Sequence, residues 1–362
     1  MDNKHIDFSN FIKARAQFNK KEMPFLSAHL DQVVKHRPYA GLRLYHNIPL
    51  TLSTFLKIEV LLRGGAEVIV SNVNQLQSSP LLTKQLIDAG LTVDLEKKQV
   101  DAIDVYLDCV AEMVNFPVPN LGYVELTQTG TEIYKKHQLL SPVISVDDCA
   151  IKVLETIGTG EGFVRAMKEY ANFPLNSKKI ILFGYGKVGR GIHSMLLKIN
   201  ADVIIVEKKQ DVIKALNNYG LTAYHINDID SINAALKSAN CVVTATGCKN
   251  LISTHFNRKN FPKDCKLVNM SATDEYGEKF TTQDVLYNKL PINFALKVPT
   301  LLKFLDPIFY AHNISIDYFL DKTITTGYNS FPSKEATTII AQWQNYHDLS
   351  INELIPPIVG IH

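Results

Sequence analysis

Several features that would narrow the function are missing from this sequence. The five cysteines, Cys109, Cys149, Cys241, Cys248 and Cys265, are odd in number and scattered. They show neither the close pairs of a metal-binding knot nor the framework of a disulfide-stapled secreted domain, so no metal centre is expected and a reducing cytoplasm fits. A net charge of only +2 provides no electrostatic footprint for nucleic acid. No uncharged apolar run is long enough to cross a bilayer. The first residues, with Asp2, Lys4, His5 and Asp7, lack the apolar stretch of a secretory leader. Internal repeats and low-complexity tracts are absent too.

What is present is an α/β rhythm over 362 residues, 46% of them apolar, a length for which two domains is the natural expectation. A polar, helical segment of about 35 residues leads. Then come strands at 42–46, 66–70, 91–95, 103–107 and 143–146, with helices at 52–62 and 81–89 between them. Such alternation with short loops argues for a parallel sheet. A long helical pattern over 151–170 is interrupted by Gly158, Gly160 and Gly162, which reads as a hinge. Later strands are expected at 222–226, 242–246 and 266–270. Two more are expected at 313–319 and 322–325, and a helix at 333–346.

The most informative stretch is Lys179-Ile180-Ile181-Leu182-Phe183-Gly184-Tyr185-Gly186-Lys187-Val188-Gly189-Arg190-Gly191. An apolar strand runs into Gly-x-Gly-x-x-Gly, and a helical pattern follows. Gly184 makes the tight turn, Gly186 lets a pyrophosphate approach the backbone, and Gly189 lets helix and strand pack closely. The phosphates then sit at the helix N-terminus, by Lys187 and Val188. A second strand, 202–206, ends at Glu207, about 20 residues on, where a ribose-binding carboxylate belongs. A carboxylate there accepts ribose hydroxyls and repels a 2′-phosphate, which selects NAD over NADP.

Several further stretches are collinear with one family. Leu61-Leu62-Arg63-Gly64-Gly65-Ala66-Glu67-Val68, Glu125-Leu126-Thr127-Gln128-Thr129-Gly130, Pro142-Val143-Ile144-Ser145-Val146-Asp147-Asp148 and Val243-Thr244-Ala245-Thr246-Gly247-Cys248 join the glycine loop in this respect. Over most of its length the chain resembles S-adenosylhomocysteine hydrolase. The resemblance implies a two-domain α/β fold, with a Rossmann NAD-binding domain inserted into a discontinuous α/β substrate domain. It places the substrate domain at 1–160 and 333–362 and the NAD domain at 161–332, with hinges near 158–176 and 325–335. On the cofactor side it implies roles for Gly184, Gly186, Lys187, Val188, Gly189, Glu207, Thr127, Gln128, Thr129, Thr246, Gly247 and Asn269, with Thr246 facing the nicotinamide side.

On the substrate side the sequence departs from the family. Its His-Met-Thr becomes Pro49-Leu50-Thr51, and its Asp-Asp-Gly-Gly-Asp becomes Asp108-Cys109-Val110-Ala111-Glu112. The second signature Glu is Leu126, and the Asp four residues beyond the catalytic Lys position is Thr156. Two further histidines are replaced, at Ala272 and Phe331. The lysine itself stays, as Lys152. Family members also carry a C-terminal tail that supplies Lys and Tyr to a neighbouring subunit. This chain ends Ile355-Pro356-Pro357-Ile358-Val359-Gly360-Ile361-His362 with neither, so a homodimer is expected.

Candidate catalytic residues are therefore Lys152, Asp147, Asp108 and His46. Each has a plainer reading. Lys152 is either a proton-transfer group or a surface lysine, and Asp147 and Asp148 either orient substrate or cap a helix. His46 is either a replacement imidazole or a strand-end residue without a role. Cys109 is either a reactive thiol or a small buried filler. Tyr328 and Asn329 are either cleft contacts or turn residues. Four functions stay open: a diverged NAD enzyme acting on another small molecule, a genuine hydrolase of the family, a non-catalytic NAD-binding protein, and a two-domain dehydrogenase.

Overall fold

The computed structural model describes residues 6–74, 76 and 78–355. These residues divide into two compact units, one of them 6–152 with 301–348, the other 153–300 with 349–355. Both are α/β with wholly parallel sheets.

The first unit has seven strands: β1 (Arg43–Asn47), β2 (Glu67–Ser71), β3 (Thr92–Val93), β4 (Val105–Asp108), β5 (Gly122–Glu125), β6 (Pro142–Ser145) and, much later in the chain, β12 (Gly327–Ser330). Their order is β12-β6-β5-β4-β1-β2-β3. The second unit holds β7 (Lys179–Phe183), β8 (Asp202–Glu207), β9 (Thr222–His225), β10 (Cys241–Thr244) and β11 (Lys266–Asn269), in the order β11-β10-β7-β8-β9. In both sheets the chain leaves the first strand in one direction and later returns on its other side. Each sheet therefore has a switch point, between β1 and β4 in one and between β7 and β10 in the other, and ligands of such folds bind beyond the strand ends there.

The division differs from the sequence expectation in the stretch 301–332, which packs with the first unit, and in 153–160 and 349–355, which pack with the second. The expected strand at 313–319 is part of a helix, Leu302–Leu320, and 322–325 is turn. Alternating Asn313, Ile314, Ser315 and Ile316 imitates a strand, yet all four are buried in the helix. The two polar side chains are satisfied inside: Ser315 donates to the Ala311 carbonyl and Asn313 to that of Lys57. A helix buried on all sides loses its amphipathic signature.

The expected glycine hinge is a continuous helix, Lys152–Glu169. A side chain at Gly160 would collide with the backbone of Gly191, and one at Gly162 with the carbonyl of Pro299. These glycines permit close approach of neighbouring backbone; they do not bend the helix.

The core of the first unit contains an unusual group of bases. Lys57 is fully buried, and its amine donates to Asn313 Oδ1 at 2.7 Å. Among the described residues no carboxylate pairs with it. Burial pushes its pKa well below the usual lysine range. His29, His46 and His312 are also buried, and both burial and the nearby Lys57 lower their pKa values. A base whose folded pKa is lowered stabilises the fold fully above its unfolded value and loses that contribution as pH falls. Between pH 7 and 10.5 Lys57 alone of these four acts. Lys57→Met should therefore raise the urea-unfolding free energy at pH 7. The gain should shrink as pH approaches 10.5. An unchanged or lowered midpoint at pH 7 contradicts this account.

Candidate functional site

In the second unit the glycine loop lies at the switch point between β7 and β10. Gly184 is left-handed, with φ +94°, and a Cβ there would come within 2.6 Å of the Ala245 carbonyl. Gly186 is exposed, and a Cβ there would meet nothing within 4 Å, so its backbone is open to approach. A side chain at Gly189 would collide with the Gly184 carbonyl, which is how the helix Lys187–Lys198 sits so close to β7. Gly186 begins that helix with no side chain capping it. The first-turn amides at Lys187 and Val188 thus form the anion-binding end of a 12-residue helix.

Glu207 closes β8, and its carboxylate is held from three directions. Oε2 accepts the Tyr185 amide at 2.8 Å, and Oε1 accepts the amides of Lys208 and Lys209 at 2.7 and 3.1 Å. It is fixed beside the glycine loop, as a ribose-binding carboxylate must be.

Beyond β10 the turn carries Thr246 and Gly247. Gly247 is exposed and left-handed, φ +72°, and a Cβ there would meet nothing within 4 Å. Thr246 Oγ1 accepts the Cys248 amide. Beneath the turn lies Glu275, wholly buried, which accepts the Thr246 amide at 2.9 Å and also the Gly247 amide. Sequence reasoning missed Glu275, because the loop Thr273-Asp274-Glu275 has the composition of a solvated surface turn. Asn269 is nearly buried and works inward. Its Oδ1 accepts the Ser271 amide, and its Nδ2 donates to the Ser271, Thr273 and Lys289 carbonyls. These bonds shape the loop after β11.

Thr127, Gln128 and Thr129 belong to the first unit. Thr127 caps the helix Gln128–Tyr134, and its hydroxyl donates to Glu125 at 2.6 Å. Gln128 and Thr129 are exposed on its first turn.

At the strand ends of the first unit, Asp108 and Glu125 are neighbours in register on β4 and β5 and are both wholly buried. Asp108 accepts from Asn47, the Cys109 and Met113 amides, and the Tyr134 hydroxyl. Glu125 accepts the Val110, Ala111 and Thr127 amides. Burial raises both carboxyl pKa values, and these donors oppose the rise. Asp108, expected as a catalytic candidate, is thereby committed to the fold. Val110 and Ala111 deliver their amides from left-handed backbone, φ +60° and +54°, a conformation that costs a β-branched residue about 1–3 kcal/mol.

His46, the second candidate, is buried in β1, and among the described residues neither ring nitrogen has a hydrogen-bond partner. It is a core residue and not an exposed strand-end imidazole. Lys152 and Asp147 do come together. The Lys152 amine donates to the Leu126 carbonyl at 2.6 Å and lies 3.4 Å from Asp147 Oδ1. Asp148 instead receives Lys135 and the Tyr328 hydroxyl. Tyr328 and Asn329 are not turn residues: both lie in β12, and the Asn329 side-chain amide donates to the carbonyls of Thr325, Gly327 and Val143. Among the described residues no three His, Cys, Asp or Glu side chains gather as a metal site would require. No helix there is long and apolar enough to cross a membrane.

A doubly wound parallel sheet with this loop, helix and carboxylate defines a dinucleotide-binding unit. Residues 155–282 match the family model for the NAD-binding domain of S-adenosyl-L-homocysteine hydrolase, so the cofactor is NAD, and the chain resembles that family as a diverged member. The S-inosyl-L-homocysteine hydrolase of Methanopyrus kandleri is 28% identical over 264 residues, 65% of this chain and 61% of that one. The adenosylhomocysteinase of Sulfurisphaera tokodaii is 28% identical over 279 residues, 70% of this chain and 66% of that one. The chain thus spans about three-fifths of the length of the first of these relatives. A dipicolinate synthase chain from Bacillus halodurans superposes at a TM-score of 0.44 with 13% identity, covering 78% of this chain and 98% of that one, a likeness too loose to bear on function.

The fixed position of Glu207 generates an expectation for cofactor choice. NAD should bind at least about tenfold more tightly than NADP, and Glu207→Ala should erase most of that difference. Titration with both dinucleotides checks this, and equal affinities for the unsubstituted protein contradict it.

Proposed function

We propose that this chain is an adenosylhomocysteinase-like, NAD-dependent enzyme performing redox chemistry on a small molecule other than S-adenosylhomocysteine. The observation that carries this reading is the contrast between the two sets of strand ends. Around the glycine loop the backbone geometry for a dinucleotide is complete. At β4 and β5 both carboxylates are spent on backbone amides, and Leu126 is a buried hydrocarbon next to Glu125. Leucine accepts no hydroxyl hydrogen bond, and a substrate hydroxyl left unpaired binds poorly.

When bound, NAD supplies a hydride acceptor. The chain's own contribution to proton transfer is assigned to Lys152. Its amine is oriented by the Leu126 carbonyl and by Asp147, and Asp147 is 1% exposed. General acid–base groups of this kind contribute about 10²- to 10⁴-fold. Lys152→Ala should then lower turnover by that range on the true substrate while NAD affinity stays within about twofold.

A second reading, hydrolysis of a nucleosyl homocysteine thioether, is favoured by the activities of the hydrolases named above. The two readings separate in one assay. Protein with NAD is incubated with S-adenosylhomocysteine or with S-inosylhomocysteine, and free thiol is followed. The first reading expects no release above background from S-adenosylhomocysteine. Robust homocysteine production from it overturns that reading and establishes the second.

The assembly proposed is a homodimer. The C-terminal residues on which that expectation rests lie, from Pro356 onward, outside the described residues. Light scattering should give twice the mass of one chain, and a stable tetramer contradicts the proposal.

A further inference from the structure

Glu275 is a wholly buried carboxylate at the switch point of the second unit, and nothing in the dinucleotide reading uses it. Its surroundings are polar and close. Among the described residues it forms no ion pair, and its oxygens take the Thr246 and Gly247 amides. The segment bearing it is tied down on both sides. Glu275's carbonyl accepts the Ile252 amide, and that of Asp274 accepts the Asn250 amide. Next to it the Tyr276 hydroxyl donates to the Val242 carbonyl and accepts the Val268 amide, bridging β10 and β11. A buried carboxylate is costly unless hydrogen-bonded, so the turn and Glu275 hold each other in place.

The direction of a bound dinucleotide follows from the sheet order. The first ribose is placed at Glu207, on the β8 side, and the pyrophosphate at the helix beginning after Gly186. The remaining nucleoside must run the other way, over the end of β10, because β8 and β10 flank β7 on opposite sides. The turn it meets is Thr246-Gly247, whose outer face is open at Gly247.

We infer that Glu275 is a positioning residue for the nicotinamide end of NAD. It takes up the Thr246 and Gly247 amides and so sets the Thr246–Gly247 turn in one shape against the nicotinamide ring. It does not touch the adenosine or the phosphates. The inference rests on NAD binding at the glycine loop, and the test keeps the two apart.

The experiment compares NAD with ADP-ribose, which has the adenosine, both phosphates and the second ribose but no nicotinamide. Dissociation constants are measured for the unsubstituted protein, Glu275→Gln and Glu275→Asp. Gln keeps the size but turns a donor toward an amide, and Asp keeps the charge but is one methylene short of reaching both amides. Glu275→Gln should weaken NAD about tenfold and leave ADP-ribose within about twofold, with Asp intermediate. Equal weakening of both ligands, or of neither, overturns the inference. If neither ligand binds the unsubstituted protein, the dinucleotide reading itself falls. Should the variants fail to fold, amide hydrogen exchange on the unsubstituted protein decides. Segment 244–250 should slow with NAD and not with ADP-ribose, and equal protection by both overturns the inference.

Discussion

Parallel strands that end together leave their last amides, and those of the turns that follow, without sheet partners, and this fold depends on how those amides are satisfied. Buried backbone donors are costly when unpaired. Three glutamates meet most of this need. Glu125 takes the amides of Val110, Ala111 and Thr127, Glu207 those of Tyr185, Lys208 and Lys209, and Glu275 those of Thr246 and Gly247. Each is at a strand end or under a strand-end turn, and each converts a loop into a fixed shape. The helix beginning after Gly186 is the contrast, since no side chain caps it and the anion it is suited to is a phosphate.

Glu125 also has a steric consequence. A side chain at Gly130 would collide with its carboxyl group, so the start of the helix Gln128–Tyr134 must be glycine there. On the other side, Val110 and Ala111 stand where the resembling family has two glycines, and both hold the left-handed backbone that glycine adopts freely. The hydrogen bonds from both amides to Glu125 hold that shape without glycine. Beside the loop stand Cys109 and Leu126, both buried.

What can be read in the sequence follows the same division. The glycine loop, the strand before it and Glu207 are local in the chain, with short-range spacing set by sterics, and the structure places them together. The alternation of strands and helices over the first 150 or so residues is equally legible, since each element is amphipathic or uniformly buried at its own period. Three things are not. The helix Leu302–Leu320 is buried all round, so its polar residues Asn313 and Ser315 imitate a strand. Gly160 and Gly162 read as flexible, but the reason for glycine is backbone from distant positions, Gly191 and Pro299. Glu275, His46 and Lys57 give no signal, because a buried ionisable group looks in sequence like any surface charge. Only the contacts that surround it tell the two apart.

A dinucleotide at this loop would meet chiefly backbone, since Gly184, Gly186 and Gly189 carry no side chain and the helix after Gly186 presents its first amides. Almost any substitution at those glycines collides with a carbonyl or blocks the approach of a phosphate, so the tolerance is small. Substrate recognition in a doubly wound sheet comes from side chains on the loops beyond the strands, and those can be exchanged without moving the strands. Asp108 and Glu125 stay because the fold needs them as acceptors, whatever the substrate. Leu126 and Cys109 follow one residue further along each strand, and both are buried. Carboxylates retained at a strand end therefore do not by themselves mark a retained activity. The residue to weigh is Lys152, whose amine is held by the Leu126 carbonyl and the Asp147 carboxylate.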